Sequence, residues 1–156
     1  MNGMSLCVPI TVHRVERNTE LAQKLRTFVQ ESSWDDVKEH ILWMIDTWVF
    51  SDWETMFAAI ADDQIVGMAS IMKTDYYPLP DIYPWISCVF VTEAYRGNRI
   101  SGMQIAHAND YARRIGFDKT YIPSEHEGLY EHYGYEYVRD IVNYGNGIDR
   151  LYVKTI

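Results

Sequence analysis

The sequence predicts an α+β fold with about seven strands in a mixed, mostly antiparallel sheet, flanked by about four helices. Three observations predict it. Short β-like runs open and close the chain, and others come in pairs joined by tight polar turns. Apolar residues recur at helical spacing between them. One strand–helix–strand run near the middle calls for a crossover inside an otherwise antiparallel sheet. The 156 residues fit one domain with one hydrophobic core. No repeat, low-complexity tract or linker divides 1–156.

Val8 to Val15 reads as the opening strand. Leu21, Leu25, Phe28 and Val29 recur at helical spacing, as do Val37, Ile41, Met44, Ile45 and Trp48. Ser33-Trp34-Asp35-Asp36 predicts a capping box ahead of the second helix. Thr55 to Ala61 and Ile65 to Lys73 are strands of a hairpin turned at Asp62-Asp63-Gln64. A proline-punctuated loop from Tyr76 to Pro84 follows, then the short apolar run Trp85 to Thr92, which suits a buried central strand. After a turn from Glu93 to Gly97 comes a helix with Ile105, Ala108, Ala112 and Ile115 on one face, ended by Gly116. Lys119 to Pro123 is a strand, Gly128 to Tyr133 a short helix, and two closing strands flank Gly145-Asn146-Gly147.

Composition excludes several classes. Hydrophobic residues make up 47% and charged residues 23%, too apolar for a disordered chain. No apolar run reaches the roughly 20 residues that cross a bilayer, so no membrane is expected. The N-terminal stretch lacks the features of a signal peptide. Two cysteines, Cys7 and Cys88, are too few for a disulfide framework and read as free thiols. These readings place the chain in the cytoplasm. A formal net charge of −8 argues against nucleic acid as a partner; it favours a cationic one if the acids gather near a cleft, or serves solubility, and the charge alone leaves both readings open.

The informative segment is Val89-Phe90-Val91-Thr92-Glu93-Ala94-Tyr95-Arg96-Gly97-Asn98-Arg99-Ile100-Ser101-Gly102. It reads as a strand, a tight turn and a helix N-terminus, where free amides and the helix dipole converge on an anion such as a pyrophosphate. Gly97 allows close approach of backbone to ligand. Ser101 is a candidate cap, and Arg96 and Arg99 add positive charge. Such turns are more often structural, and the residues alone leave both readings open. Neither a Walker loop nor a dinucleotide fingerprint is present.

Here the chain resembles the GNAT superfamily of N-acetyltransferases. Tyr95 to Ser101 is similar to its acetyl-CoA motif, [Gln/Arg]-x-x-Gly-x-[Gly/Ala], and Gly128-Leu129-Tyr130-Glu131-His132-Tyr133-Gly134-Tyr135 to its Leu-Tyr-x-x-x-Gly-Phe signature. The order of elements matches as well, so the resemblance spans nearly the whole chain. It departs at two positions: Arg99 stands where the family's first motif glycine falls, and Ser101 where Gly or Ala is usual.

The resemblance implies transfer of an acetyl group from acetyl-CoA directly to a primary amine of a small molecule or peptide. It implies that the backbone around Val89, Phe90 and Val91 binds the pantetheine arm. The amides from Arg96 through Gly97, Asn98, Arg99, Ile100, Ser101 and Gly102 would receive the pyrophosphate, and the Arg99 guanidinium would add a phosphate contact. Tyr130 takes the position of the general acid near the CoA sulfur. Some relatives carry a strand glutamate as base, but Trp85 holds that position here. Glu125, His126, Glu127, Asp75 and Asp81 remain candidates, and none is singled out. Trp34, Trp43, Trp48, Phe50 and Trp53 fall where relatives cover the acceptor side, though such spacing more often means core.

His126 and His132 lack metal-ligand spacing, so no metal is expected. His107 reads as lying on a solvated face. A non-catalytic acyl-CoA-binding or sensing domain is the alternative. A homodimer through the closing strands is left open.

Overall fold

The computed structural model describes residues 8–156. The stretch read for targeting features, and Cys7 with it, lie outside the described residues. Strands β1 (Ile10–Val15), β2 (Thr55–Ala61), β3 (Gln64–Met72), β4 (Trp85–Val91), β5 (Lys119–Ser124), β6 (Glu136–Val142) and β7 (Ile148–Thr155) form one sheet in the order β1-β2-β3-β4-β5-β7-β6. Every neighbouring pair is antiparallel except β4 and β5. Helices α1 (Glu20–Glu31) and α2 (Lys38–Thr47) join β1 to β2, and α3 (Ile100–Arg114) makes the β4–β5 crossover. No helix among the described residues is long and apolar enough to cross a membrane.

The centre of the sheet, β2 and β3 above all, is buried on both faces. On one, Met56 and Met68 meet Leu25 and Val29 of α1 and Ile41 of α2. On the other, Phe57, Ile71 and Ile86 pack against Ile105, Ala108 and Ala112 of α3. The neighbours Met56 and Phe57 point to opposite sides, as the period-2 pleat requires. β2 is therefore apolar almost throughout rather than alternating.

Local signals explain two of the helix ends. The Thr19 hydroxyl accepts from the Ala22 amide at 3.1 Å and starts α1. At the end of α3 the Gly116 amide bonds the Arg113 carbonyl and the Phe117 amide bonds that of Ala112, with Gly116 at φ +107°. Ile115 is already turned out of the helix there and is exposed, not part of the apolar face.

Two further expectations are corrected. The box at Ser33 does not form: α2 starts later, with Val37 at its N-cap and no side-chain cap, and the Ser33 hydroxyl donates to Glu93 instead. That bond ties the α1–α2 loop to the turn before α3. The helix expected from Gly128 to Tyr133 shrinks to the 3₁₀ turn Glu131–Tyr133. Gly128 and Gly134, both at φ +88°, bound a stretch too short to sustain a helix nucleus.

The one feature that shapes the site is the parting of β4 from β5. Their parallel pairing is confined to Trp85 and Tyr121, with the Tyr121 amide bonding the Pro84 carbonyl at 3.0 Å. Beyond it β4 bulges: Ser87 pairs with Ser70 and Phe90 with Met68, so Cys88 and Val89 face a single residue of β3. Cys88 sits at φ +53°. A bulge bends its strand, and the sheet opens here into a cleft. Trp85 is buried at the point of parting and stacks on Tyr77 at 5.4 Å.

Candidate active site

The candidate site has two parts, both built on β4. One is the turn from β4 into α3. After the 3₁₀ turn Glu93–Tyr95 the chain passes through Gly97 at φ +84° and Arg99 at φ +61° into the helix. Among the described residues, the amides of Gly97, Asn98, Arg99, Ile100, Ser101 and Gly102 donate to no protein acceptor, the first helical bond being Met103 to Arg99. Six donors are thus left free in the turn and first helical residues of α3, where the helix dipole adds a partial positive charge. A Cβ built on Gly97 would meet nothing within 4 Å, so the ground in front of the turn is open.

The side chains differ from the sequence reading in three ways. The Arg96 amide is taken by the Glu93 carbonyl at 3.2 Å, so the row of free donors begins one residue later, at Gly97. The Arg96 guanidinium folds back, donating to the Val91 carbonyl at 2.8 Å and covering the Phe90 ring. Its charge closes the end of β4 instead of facing the turn. Ser101 does not cap the helix: the N-cap is Arg99, without a side-chain bond. The Ser101 hydroxyl pairs with that of Tyr133 at 2.9 Å, and Tyr133 packs so closely on Gly102 that a Cβ there would lie 2.7 Å from its ring. Arg99 adopts the left-handed conformation that glycine favours, at a cost of about 1–2 kcal/mol.

On β4 itself, Phe90 and Val91 are buried and paired with β3, Phe90 lying against Trp34 at 5.5 Å. Val89, in the bulge, has no register partner. Ile100 is buried.

The second half is a cavity of about 1060 Å³ between α2, the face of the sheet and the parted strands. Tyr130 lines it, beside Ile122, Pro123 and Ser124 of β5. The loop that carries Tyr130 is fixed by buried bonds: Thr120 and the Tyr135 hydroxyl share Asn109 of α3, and Lys154 holds the Tyr133 carbonyl at 2.7 Å. Burial pushes the Tyr130 phenol above its usual range, Tyr133 reinforces the shift, and Ser124 partly offsets it. A group so shifted stays a proton donor at neutral pH.

Of the five candidate bases, three line the cavity: Asp75, Glu125 and His126. Glu127 is engaged by Arg150 at 2.9 Å, and Asp81 lies outside the lining. Glu125 and His126 are exposed, whereas Asp75 is partly buried. Asp75 accepts from the Ser87 hydroxyl and from the Tyr76 amide at 2.6 Å. Burial pushes its carboxyl up from the ordinary range, against those two hydrogen bonds.

That shift has a consequence for stability. A carboxyl raised in the folded state stabilises the fold most below its ordinary pKa, and the contribution is lost as pH climbs through the raised value. Asp75→Asn is expected to raise the melting temperature at neutral pH by about 2–4 °C. Thermal denaturation across pH checks it, and an unchanged or lower Tm at pH 7 contradicts it.

The aromatic cluster divides. Trp34 and Trp43 line the cavity. Trp48 and Phe50 pack on each other at 4.9 Å, and Trp53 turns to Phe117 on the α3 side. His107 is half-buried against Phe57, not solvated, and burial lowers its pKa. Cys88 is a free thiol in the lining whose pKa burial pushes up to about 11, which keeps it protonated and poorly nucleophilic at neutral pH.

A β4–β5 pair that parts after one paired position, a turn with unengaged amides at the end of β4 and a cavity lined by β4 and β5 residues are the features of the site. The family model of the GNAT acetyltransferases matches residues 17–135. The chain belongs to that family. Among solved structures it resembles an acetyltransferase from Streptococcus agalactiae 2603, at TM-score 0.67 and 16% identity over 94% of this chain and 98% of that one. It also resembles an aminoglycoside 6'-N-acetyltransferase complexed with coenzyme A, at 0.69 and 15% over 93% and 96%. A third is a GNAT family acetyltransferase from Elizabethkingia anophelis with acetyl-CoA bound, at 0.62 and 16% over 94% and 98%. At such identities the likeness is one of fold. No curated protein sequence matches significantly.

Proposed function

We propose that residues 1–156 form one cytoplasmic N-acetyltransferase domain that moves an acetyl group from acetyl-CoA to a primary amine. One observation carries the reading: β4, whose Val89 lines the cavity together with Tyr130 and Asp75, runs on into a turn with six unengaged amides. The residues fit the donor. The amides of Gly97 through Gly102 would hold its pyrophosphate, each such charged hydrogen bond contributing about 1.5–3 kcal/mol. That is enough to favour a phosphate ester in a protein of net charge −8. The unpaired backbone at Val89 would bind the pantetheine arm, as β-augmentation does for an extended ligand.

The chemistry needs two proton movements. The amine nitrogen attacks the thioester carbon; its bond to carbon forms as the carbon–sulfur bond breaks. The proton shed by the amine leaves through the cleft towards Asp75 or water. Tyr130 gives its proton to the departing sulfur and regains one from solvent.

The test is thiol release from acetyl-CoA, followed with a thiol reagent while a panel of primary amines is added one at a time. Release that depends on an amine is the expected result. Acetyl-CoA that binds but releases thiol with none of them would replace this reading by a non-catalytic acyl-CoA-binding domain.

A further inference from the structure

The acceptor half of the cavity is chemically lopsided. Four carboxylates line it, Asp36, Glu54, Asp75 and Glu125, and no lysine or arginine does. His40 and His126 are its other ionisable nitrogen groups. Glu54 is engaged by the Ser51 hydroxyl at 3.0 Å and the Lys73 amide at 2.9 Å. Asp36 and Glu125 lie exposed at the rim. Asp75 is different: it sits inside, on two hydrogen bonds, and makes no salt bridge among the described residues. A carboxylate offers about four acceptor positions, and the two hydrogen bonds leave about two of them unused.

A second, independent feature marks the same spot. Ser70, on β3 directly across from Ser87, is fully buried and lines the cavity. Its hydroxyl makes no hydrogen bond of normal geometry, its neighbour being the weakly polar Cys88 thiol. A partly buried carboxylate without a salt bridge, in the loop after β3, and a buried hydroxyl without a normal hydrogen bond, on β3 itself, are costly unless a ligand completes them. Trp34 and Trp43 supply ring faces nearer α2 and Tyr76 and Tyr144 on the loop side, surfaces that suit an alkyl or aromatic body and a cation.

Resting on the acetyltransferase reading above, we propose that the acceptor is a cationic amine with an alkyl or aromatic body and no carboxylate beside its nitrogen. Asp75 holds the amine as its ammonium until one proton is lost to water through the cleft, which frees the nitrogen lone pair for attack, and Ser70 lies within the same polar pocket. An α-amino acid is rejected, because its carboxylate would enter a cavity with four carboxylates and no lysine or arginine to receive it.

The test uses matched pairs that differ only by that carboxylate: tyramine against tyrosine, and cadaverine against lysine. In the thiol-release assay kcat/KM is expected to favour the carboxylate-free member by about 100-fold or more in each pair. Asp75→Asn is expected to raise KM for tyramine by about 10–100-fold while leaving acetyl-CoA affinity unchanged. Should turnover be too slow to read, calorimetric titration of the four amines into CoA-saturated protein reports the same preference. Equal handling of tyrosine and tyramine, or no binding of tyramine at millimolar concentration, overturns the proposal. Loss of acetyl-CoA binding itself would overturn the acetyltransferase reading instead, and the two failures are read in separate titrations.

Discussion

Gly97→Glu removes acetyl-CoA binding, an expected loss of about 10²–10⁴-fold in affinity by calorimetric titration. The glutamate would stand at the start of the free-amide row, where its carboxylate competes with phosphate for the donors and repels it. Losing two amide–phosphate bonds of about 1.5–3 kcal/mol each gives that range, since about 1.4 kcal/mol is tenfold. The fold should survive, because a side chain at Gly97 meets nothing nearby. Backbone strain at φ +84° is the competing explanation, and Gly97→Asn isolates it. Asparagine tolerates that conformation and carries no charge, so it should keep most of the affinity. Unchanged binding by the glutamate variant, or equal losses in both variants, would sink the phosphate assignment.

Tyr130→Phe is expected to lower kcat by about 10²–10⁴-fold, with acetyl-CoA affinity little altered. The change deletes one oxygen and keeps the ring, which packs edge-on against Tyr133 and Tyr135 and tilted against Tyr152. Loss of packing is therefore a poor rival explanation. The pH profile sharpens the test. A general acid works while protonated, and burial raises this phenol, so in the wild type the alkaline decline should begin above the ordinary tyrosine pKa of about 10. The phenylalanine variant should lose height without any movement of the acid limb. A full-height profile in the variant would show that sulfur leaves without help from Tyr130.

Both experiments act on features of different origin. The cradle is local in sequence. A strand, a glycine-bearing turn and a helix start lie within Val89 to Gly102, and short-range rules say that such a helix end leaves its amides free. Even there the side chains were not legible. Arg96 turns back because Val91 and Phe90 are a few residues behind it at the strand end, and Ser101 abandons the cap for Tyr133, 32 positions on. Sequence spacing carries no record of that second partner.

The element order, the hairpin at Asp62-Asp63, the cap at Gly116 and the turn into α3 follow from the sequence alone, because each depends on residues within one or two turns of chain. Tertiary structure decided the acceptor side. Which candidate carboxylate enters the cavity depends on the bulge at Cys88 and on β4 parting from β5 after a single paired position, Trp85 and Tyr121. Which tryptophans face the cleft depends on how α2 lies over the sheet. Those placements come from packing among residues far apart in the chain, where burial area and shape choose among side chains that composition leaves equivalent.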